Sequence, residues 1–249
     1  MEKSVKDTLL ERRCVRKYEN RAISTDDLDF IHEAVRNTPT SYNGQQYSVI
    51  EIADAAIKNR MAEITGMKQL GDAPIVFMFV TDFNKIKIAA EAKNLEYVNF
   101  QDTVDGMIVG VVDASLAMMS AIVAAESRGL GTCPVGYARS VNPTAISELL
   151  KLPAGVFPVC ALAVGIPADK PDLKPKEPTD LLFFKDTYGM DGMAEKLMEY
   201  DKKVVFYHQH RSSHNSDQDW IGKVLFYYRE GLRGSMLDAL KKQGYKMEK

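Results

Sequence analysis

The chain has 249 residues, 45% of them hydrophobic, which is enough to bury a large core in one domain or two small ones. Lysine and arginine total 32 against 34 aspartate and glutamate, so the composition excludes a global electrostatic attraction to nucleic acid or to an anionic membrane. We therefore expect small molecules, or copies of the chain itself, as partners. The charged start lacks an apolar leader and the three cysteines are widely spaced, so we expect a cytoplasmic protein.

The first half of the chain predicts helices that alternate with strands. A polar joint separates a helix over residues 4–13 from one over 24–37, where Ser24 is a favourable N-cap. Apolar segments rich in branched and aromatic residues predict strands from Tyr47 and from Ala73. Further helical patterns cover residues 55–65 and 83–93. This alternation indicates an α/β or α+β layer fold.

A long, weakly polar segment, Met107 to Gly131, raises the question of a membrane span. Asp113 near its middle and the polar residues 126–128 at its end argue against one. Alanine, glycine and serine are frequent in it and suit a helix that is packed closely on all sides inside the protein. The sequence therefore predicts a buried central helix.

The second half begins with a turn-rich segment, residues 132–140, and a short helix over 143–150. The continuous apolar residues 157–168 predict a buried strand, and the proline- and lysine-rich residues 168–180 predict an extended surface loop. Two long helices are predicted over 193–207 and 220–242, on either side of a polar loop. Three histidines near this loop are interpreted as surface residues and not as metal ligands: His208, His210 and His214.

Arginines cluster where the first predicted helix ends. Arg12, Arg13 and Arg16 place three guanidinium groups at a helix-to-loop joint, where they and nearby backbone N–H groups can bind a phosphate. A solvated, charged helix end is the alternative. Composition alone does not decide between the two.

Residues 38–46 form a second candidate site, because many hydrogen-bonding groups follow a helix and precede a strand there. Such a loop can meet the pyrimidine edge of a flavin, although an ordinary connecting loop has the same composition. A third candidate is Lys174 with Lys176, two ammonium groups that prolines hold in a restricted backbone. The sequence has no G-x-G-x-x-G after a strand and no Walker A motif, so a nucleotide phosphate would be held by side chains.

Together these segments resemble the nitroreductase family of FMN enzymes, and more closely its longer subgroup of NADPH-dependent nitro and flavin reductases. Four stretches, in order, carry the resemblance, which covers essentially the whole chain. They are Arg13-Cys14-Val15-Arg16-Lys17-Tyr18, Pro39-Thr40-Ser41-Tyr42-Asn43-Gly44-Gln45, Glu126-Ser127-Arg128-Gly129-Leu130-Gly131 and Pro171-Asp172-Leu173-Lys174-Pro175-Lys176.

The resemblance implies a set of cofactor-binding residues. The FMN phosphate and pyrimidine would lie against Arg12, Arg13, Cys14 and Arg16, with Lys174 and Lys176 completing the anion clamp. The flavin or its partner subunit would face Pro39, Thr40, Ser41, Asn43 and Gln45. The ring would be approached by the backbone of the turn Pro134, Val135 and Gly136, and the pyrimidine by Lys68 or Gln69.

The resemblance also implies contacts to the acceptor or the nicotinamide, from Tyr42, Arg211 and Arg233. Two departures from the family pattern stand out. Cys14 replaces the usual serine, and a thiol is a poorer hydrogen-bond donor than a hydroxyl. Ser216 or a neighbour replaces a second arginine of the long subgroup, so the choice between NADPH and NADH stays open.

The implied fold is α+β and has three layers, a central, mostly antiparallel sheet flanked by helices. Residues 1–249 would form a single FMN-binding domain, with a helical C-terminal extension from about residue 190 that embraces the partner subunit of an intertwined homodimer. The implied activity is hydride transfer from NADPH or NADH to FMN, then two-electron reduction of nitroaromatics or quinones in a ping-pong cycle. The chemistry takes place at flavin N5, so neither a catalytic side chain nor a metal is expected.

Two alternatives stay open beside this function. One is an NAD(P)H:flavin reductase of the same fold, whose acceptor is free flavin. The other is a non-enzymatic flavin-binding redox sensor in which Cys14 is the responsive thiol.

Overall fold

The computed structural model describes residues 3–231, 234 and 236–248. They divide into two compact units, one drawn from Met1–Lys170 and Ser235–Lys249 and the other from Pro171–Gly234. The helices of the first unit are α1 (Val5–Glu11), α2 (Thr25–Arg36), α3 (Ala55–Thr65), α4 (Gln69–Asp72), α5 (Asn84–Ala92), α6 (Val104–Ser127), α7 (Tyr137–Ser140), α8 (Pro143–Leu149) and α11 (Met236–Lys242). Those of the second unit are α9 (Met193–His210) and α10 (Trp220–Gly231).

The first unit is built on a four-stranded sheet. Its strands are β1 (Tyr47–Ile52), β2 (Ile75–Asp82), β3 (Gly131–Val135) and β4 (Val156–Gly165). Their order across the sheet is β1-β2-β4-β3, and each neighbouring pair is antiparallel. The central strands β2 and β4 are buried along their whole length, which explains why both are almost continuously apolar in sequence.

Helices cover both faces of the sheet. Alternate residues of β2, such as Phe77 and Met78, point to opposite faces because side chains alternate along a strand. The Phe77 face packs against α2 and α6, and the Met78 face packs against α3, α4, α7 and α8. The predicted three-layer α+β fold with an antiparallel central sheet is therefore confirmed.

Helix α6 differs from the helix that the sequence predicts. One side packs on the sheet through small residues such as Ala117 and Ala121, which are fully buried. The other side carries a row of large apolar side chains that are 38% to 54% exposed: Val104, Ile108, Val112, Leu116 and Met119. In a single chain the predicted burial is therefore found on the sheet side of α6 and not on the side that carries these large residues. Among the described residues α6 is long and apolar enough to cross a membrane, a test that core helices of soluble proteins also pass.

Two local predictions are corrected. Part of the predicted turn-rich segment 132–140 is strand β3, because Thr132 to Val135 pair with Val164 to Ala161 of β4. The helix predicted over 220–242 is two helices, α10 and α11, separated near Gly231 and Gly234. Glycine destabilises a helix interior, and two so close together favour an interruption.

The C-terminal residues belong to the core of the first unit. Tyr245 is fully buried, its hydroxyl donates to the carbonyl of Gly155 at 2.9 Å, and it lies 2.6 Å from the hydroxyl of Thr81. The second compact unit thus spans Pro171–Gly234, whereas the sequence places the extension at about 190–249.

Candidate cofactor site

The arginine-rich segment lies beside β3 as an added edge of the sheet. Cys14 forms a parallel bridge with Thr132, and the Val15 N–H donates to the Thr132 carbonyl at 2.9 Å. Gly131 permits this approach, because a Cβ there would lie 2.7 Å from a Val15 methyl carbon. Main-chain pairing with β3 therefore fixes the position of the segment that follows α1.

Two guanidinium groups of this segment each have a buried nitrogen that can donate a further hydrogen bond. The Nε atoms of Arg12 and Arg13 are buried and have no hydrogen-bond partner among residues 3–231, 234 and 236–248. Arg13 otherwise donates to the Glu11 carbonyl at 2.8 Å, and Arg16 is exposed. A buried, unsatisfied donor is costly, and a charged one more so, unless a ligand accepts from it. The groups present therefore fit an anion such as a phosphate or an ionisable pyrimidine edge.

Glu126, at the end of α6, is the acidic group near these arginines. It is buried and accepts a hydrogen bond of 2.7 Å from the Thr132 hydroxyl. Burial raises the pKa of the Glu126 carboxyl, and the Thr132 hydrogen bond and the charge of Arg12 oppose that rise in part. A carboxyl that resists ionisation leaves the positive charge of the segment less neutralised.

The structure distinguishes the two candidates near residue 68. Lys68 is exposed, whereas the Gln69 side chain is buried and its amide nitrogen lies 3.9 Å from the Cys133 sulfur. Pro134 and Val135 are the end of β3 rather than a turn, and Gly136 follows them. The structure thus groups Gln69 with the β3 end and with Cys14, which packs against the same buried cluster.

The loop from Pro39 to Gln46 is held by one buried carboxylate. Asp113 of α6 is fully buried, and one of its oxygens accepts from the Ser41 N–H at 3.0 Å and the Ser41 hydroxyl at 3.3 Å. Its other oxygen accepts from the Gln46 N–H at 3.2 Å. This role of Asp113 was not predicted from the sequence, where the residue argued only against a membrane span. A single acid in the middle of an apolar helix was the available signal.

The same loop has a strained backbone. Tyr42, Asn43 and Gln45 have φ values of 50°, 55° and 53°, in the left-handed region that residues other than glycine seldom adopt. Tyr42 is also 74% exposed. Strain of this kind persists only where the surroundings enforce it, and it is concentrated at functional sites. The hydrogen bonds that Asp113 accepts hold the loop in this strained conformation.

One chain does not bring the arginine segment and this loop together. The loop leads into β1 and the arginine segment lies beside β3, and these strands are opposite edges of the sheet. Asp113, which holds the loop, and Glu126, which bonds Thr132 near Arg12, are thirteen residues apart on α6, which is about 20 Å along a helix axis. An apolar groove of about 470 Å³ runs beside α6, lined by Phe30, Pro39, Leu116, Met119 and Val123 among others.

The remaining predicted residues lie in the second unit. Lys174 and Lys176 are exposed, and the carbonyl of Pro175 between them accepts a hydrogen bond of 3.4 Å from Tyr200. Arg211 follows α9, and its Nε is buried without a hydrogen-bond partner in the part of the chain that the structure describes. Arg233 lies outside the described residues.

The histidines of this region differ from the surface-loop interpretation. His208 and His210 are residues of α9, and His208 is buried, with Nδ1 lying 2.6 Å from the Gln218 carbonyl oxygen. Asp201 accepts from the N–H groups of Trp220 and Ile221 and so caps the start of α10. The polar gap is therefore partly ordered by hydrogen bonds.

Comparisons with known proteins agree over nearly the whole chain. The sequence model of the nitroreductase family matches residues 9–166, and that of the nitroreductase family C-terminal domain matches residues 174–248. The FMN reductase [NAD(P)H] of Bacillus subtilis (strain 168) is 35% identical over 244 residues, which are 97% of this chain and 98% of that protein.

Solved structures agree with the sequence comparison. NfrA2 of B. megaterium superposes with a TM-score of 0.90 at 34% identity, and the hypothetical oxidoreductase YcnD from Bacillus subtilis with 0.92 at 34%. Each alignment covers 98% of this chain and 99% of the other. Family sequence models, a full-length relative and the arrangement of the sheet and helices all lead to one assignment: this chain belongs to the nitroreductase family.

Proposed function

We propose that this chain reduces nitroaromatics or quinones by two electrons in a ping-pong cycle, with FMN as cofactor and NADPH or NADH as reductant. The observation that carries the proposal is the pair of buried guanidinium nitrogens of Arg12 and Arg13, at the start of the family's FMN motif, which have no hydrogen-bond partner among the described residues. A relative over the full length is named FMN reductase [NAD(P)H], which supports both the cofactor and the reductant.

When bound, FMN supplies the electron transfer between nicotinamide and acceptor, so the chain needs no general acid or base of its own. Arg12 and Arg13 would bind the anionic part of the cofactor through the donors that have no partner among the described residues. Gln69 and the backbone from Pro134 to Gly136 would lie against the ring system, and Arg16 would add positive charge beside it. Lys174 and Lys176 complete the anion clamp.

A homodimer accounts for the separation of the two half-sites. The loop Pro39–Gln46 of one copy, with Ser41, Asn43 and Gln45, faces the cofactor held by the arginines of its partner. The exposed apolar side of α6 and the adjoining groove supply the surface on which two copies pack. Each copy forms one FMN-binding domain, and its second unit embraces the other copy, with Arg211 near the nicotinamide.

The test is an anaerobic reduction of the purified protein. A yellow protein whose flavin band is bleached by NADPH or NADH supports the reductase, and the two rates identify the preferred nicotinamide. A protein that neither retains FMN nor is bleached after FMN is added contradicts it. Cytoplasmic localisation stays a prediction.

Two alternative functions predict different rates when the same protein is assayed for NAD(P)H oxidation. A flavin reductase, which the name of the B. subtilis relative favours, oxidises NAD(P)H faster with added riboflavin phosphate than with nitrofurazone or menadione. A redox sensor binds FMN tightly and oxidises neither nicotinamide at an appreciable rate. Steady-state rates with the three acceptors therefore separate all three functions.

A further inference from the structure

Two of the three cysteines meet beside the arginine segment. Cys14 is half-buried and packs against the buried cluster that contains Cys133. Its bridge partner is Thr132, so Cys133 is one residue away on the neighbouring strand. Strand spacing puts such a pair about 6 Å apart at Cα, within the range of about 4.4–6.8 Å that a disulfide needs.

The surroundings give the two thiols different roles. The Arg12 guanidinium lies 3.7 Å from the Cys14 sulfur, and a positive charge beside a sulfur favours the nucleophilic thiolate. Cys133 is almost fully buried, and its hydrogen bond to Cys14, followed by burial itself, raises the pKa of the Cys133 thiol. Cys14 is therefore the more nucleophilic sulfur, and Cys133 is the thiol that keeps its proton.

We propose that Cys14 and Cys133 are a peroxide-reactive pair that closes into a reversible intramolecular disulfide. The Cys14 thiolate attacks one oxygen of hydrogen peroxide, the O–O bond breaks, and the released hydroxide takes a proton to become water. Cys14 is then a sulfenic acid. The Cys133 sulfur attacks it, the S–S bond forms, the S–O bond breaks, and the departing hydroxide leaves as water with the Cys133 proton. Two thiols lose two electrons and one peroxide gains them.

Cys160 provides a matched control within the same chain. Its thiol is also buried, and burial raises its pKa, but it lies in the cluster on the opposite face of the sheet from Cys133. It is no part of the cofactor site. The reaction of the other two cysteines takes no electrons from the flavin, so the protein freed of FMN tests this inference separately from the proposed function.

The experiment treats the purified protein, with whatever cofactor it carries, with hydrogen peroxide. Remaining thiols are then blocked with N-ethylmaleimide in denaturant, and a non-reducing digest is mapped by mass spectrometry. We expect two of the three thiols to disappear, one peptide pair to link Cys14 to Cys133, and dithiothreitol to restore both thiols. Cys160→Ser should react as the wild type does, whereas Cys14→Ser and Cys133→Ser should give no such link.

In Cys133→Ser, Cys14 should instead be trapped as a sulfenic acid by dimedone. The peptide map of the wild type is decisive on its own if a variant fails to fold. The proposal is overturned if no thiol reacts, if the links join Cys160 or two separate chains, or if Cys14 is over-oxidised while Cys133 stays reduced.

Discussion

The arginine segment and the loop Pro39–Gln46 are held in place by different elements, the segment by β3 and the loop by α6. The segment is aligned by main-chain pairing with Thr132 of β3, which depends little on side-chain identity. The loop depends on the single carboxylate of Asp113, which accepts its N–H groups and holds a strained backbone. The backbone path of the arginine segment therefore tolerates most changes of side chain, whereas the backbone path of the loop depends on one buried acid.

The largest effect is expected when the surface between the two half-sites is charged. Leu116→Lys places an ammonium group in the exposed apolar row of α6, where contact with a second copy would strip it of water. We expect dissociation of the dimer and loss of FMN with it, as measured by sedimentation and by the flavin content. Ile88→Lys, at an exposed position on α5, is the control and should change neither.

The next largest effect is expected at the arginine segment. Replacing Arg12 and Arg13 together by alanine removes charge-assisted hydrogen bonds worth about 1.5–3 kcal/mol each, so FMN should bind about 100-fold more weakly or worse. Fluorescence titration of the apoprotein measures this. The exposed Arg21→Ala is a matched control, and equal FMN affinity in the two proteins would remove these arginines from the site.

The third effect is expected at Asp113, which holds the loop Pro39–Gln46, and it should appear mainly as a loss of stability. Asp113→Ala leaves the half-buried N–H of Ser41 and the buried N–H of Gln46 without an acceptor, and we expect the free energy of unfolding to fall by about 3 kcal/mol. Urea denaturation measures this fall. Asp105→Ala, at an exposed position in the first turn of the same helix, should change stability by well under half as much.

A smaller, pH-dependent effect on stability is expected at Glu126, the buried acid near Arg12. The folded-state pKa of Glu126 is raised, so its protonated form is favoured by folding, and that contribution is lost as pH rises through the raised value. Glutamine mimics the protonated form, so Glu126→Gln should gain stability relative to wild type between about pH 4 and about pH 7. Urea unfolding at both pH values tests this, with the exposed Glu96→Gln as control. A constant difference across that range would contradict the assigned shift.

Local sequence signals were sufficient to predict the features that depend on residues close together along the chain. Ser24 was predicted as an N-cap, and its side chain accepts from the Asp27 N–H at the start of α2. The apolar segment from residue 157 is the fully buried strand β4, which extends over Val156–Gly165. Caps and hydrophobic patterns are short-range properties, so one sequence suffices for them.

Features that depend on distant residues were beyond a single sequence. Residues 132–135 resemble a turn, and only the pairing with β4 makes them a strand. The partnership of Asp113 with a loop some seventy residues earlier has no local signature. Likewise, the motifs indicated two candidate parts of the site, but the sheet order was needed to show that these lie at opposite edges.

The most direct test of a site shared between two copies is a mixed dimer. One copy carries Arg12→Ala with Arg13→Ala, the other carries Asp113→Ala, and different affinity tags isolate the dimer that contains one of each. If each site takes its arginines from one copy and its loop from the other, one site has both defects and its twin has none. The mixed dimer should then retain one FMN and about half of the wild-type NAD(P)H oxidation, while both parent variants are nearly inactive. A mixed dimer as inactive as its parents would show that each site is built within one chain.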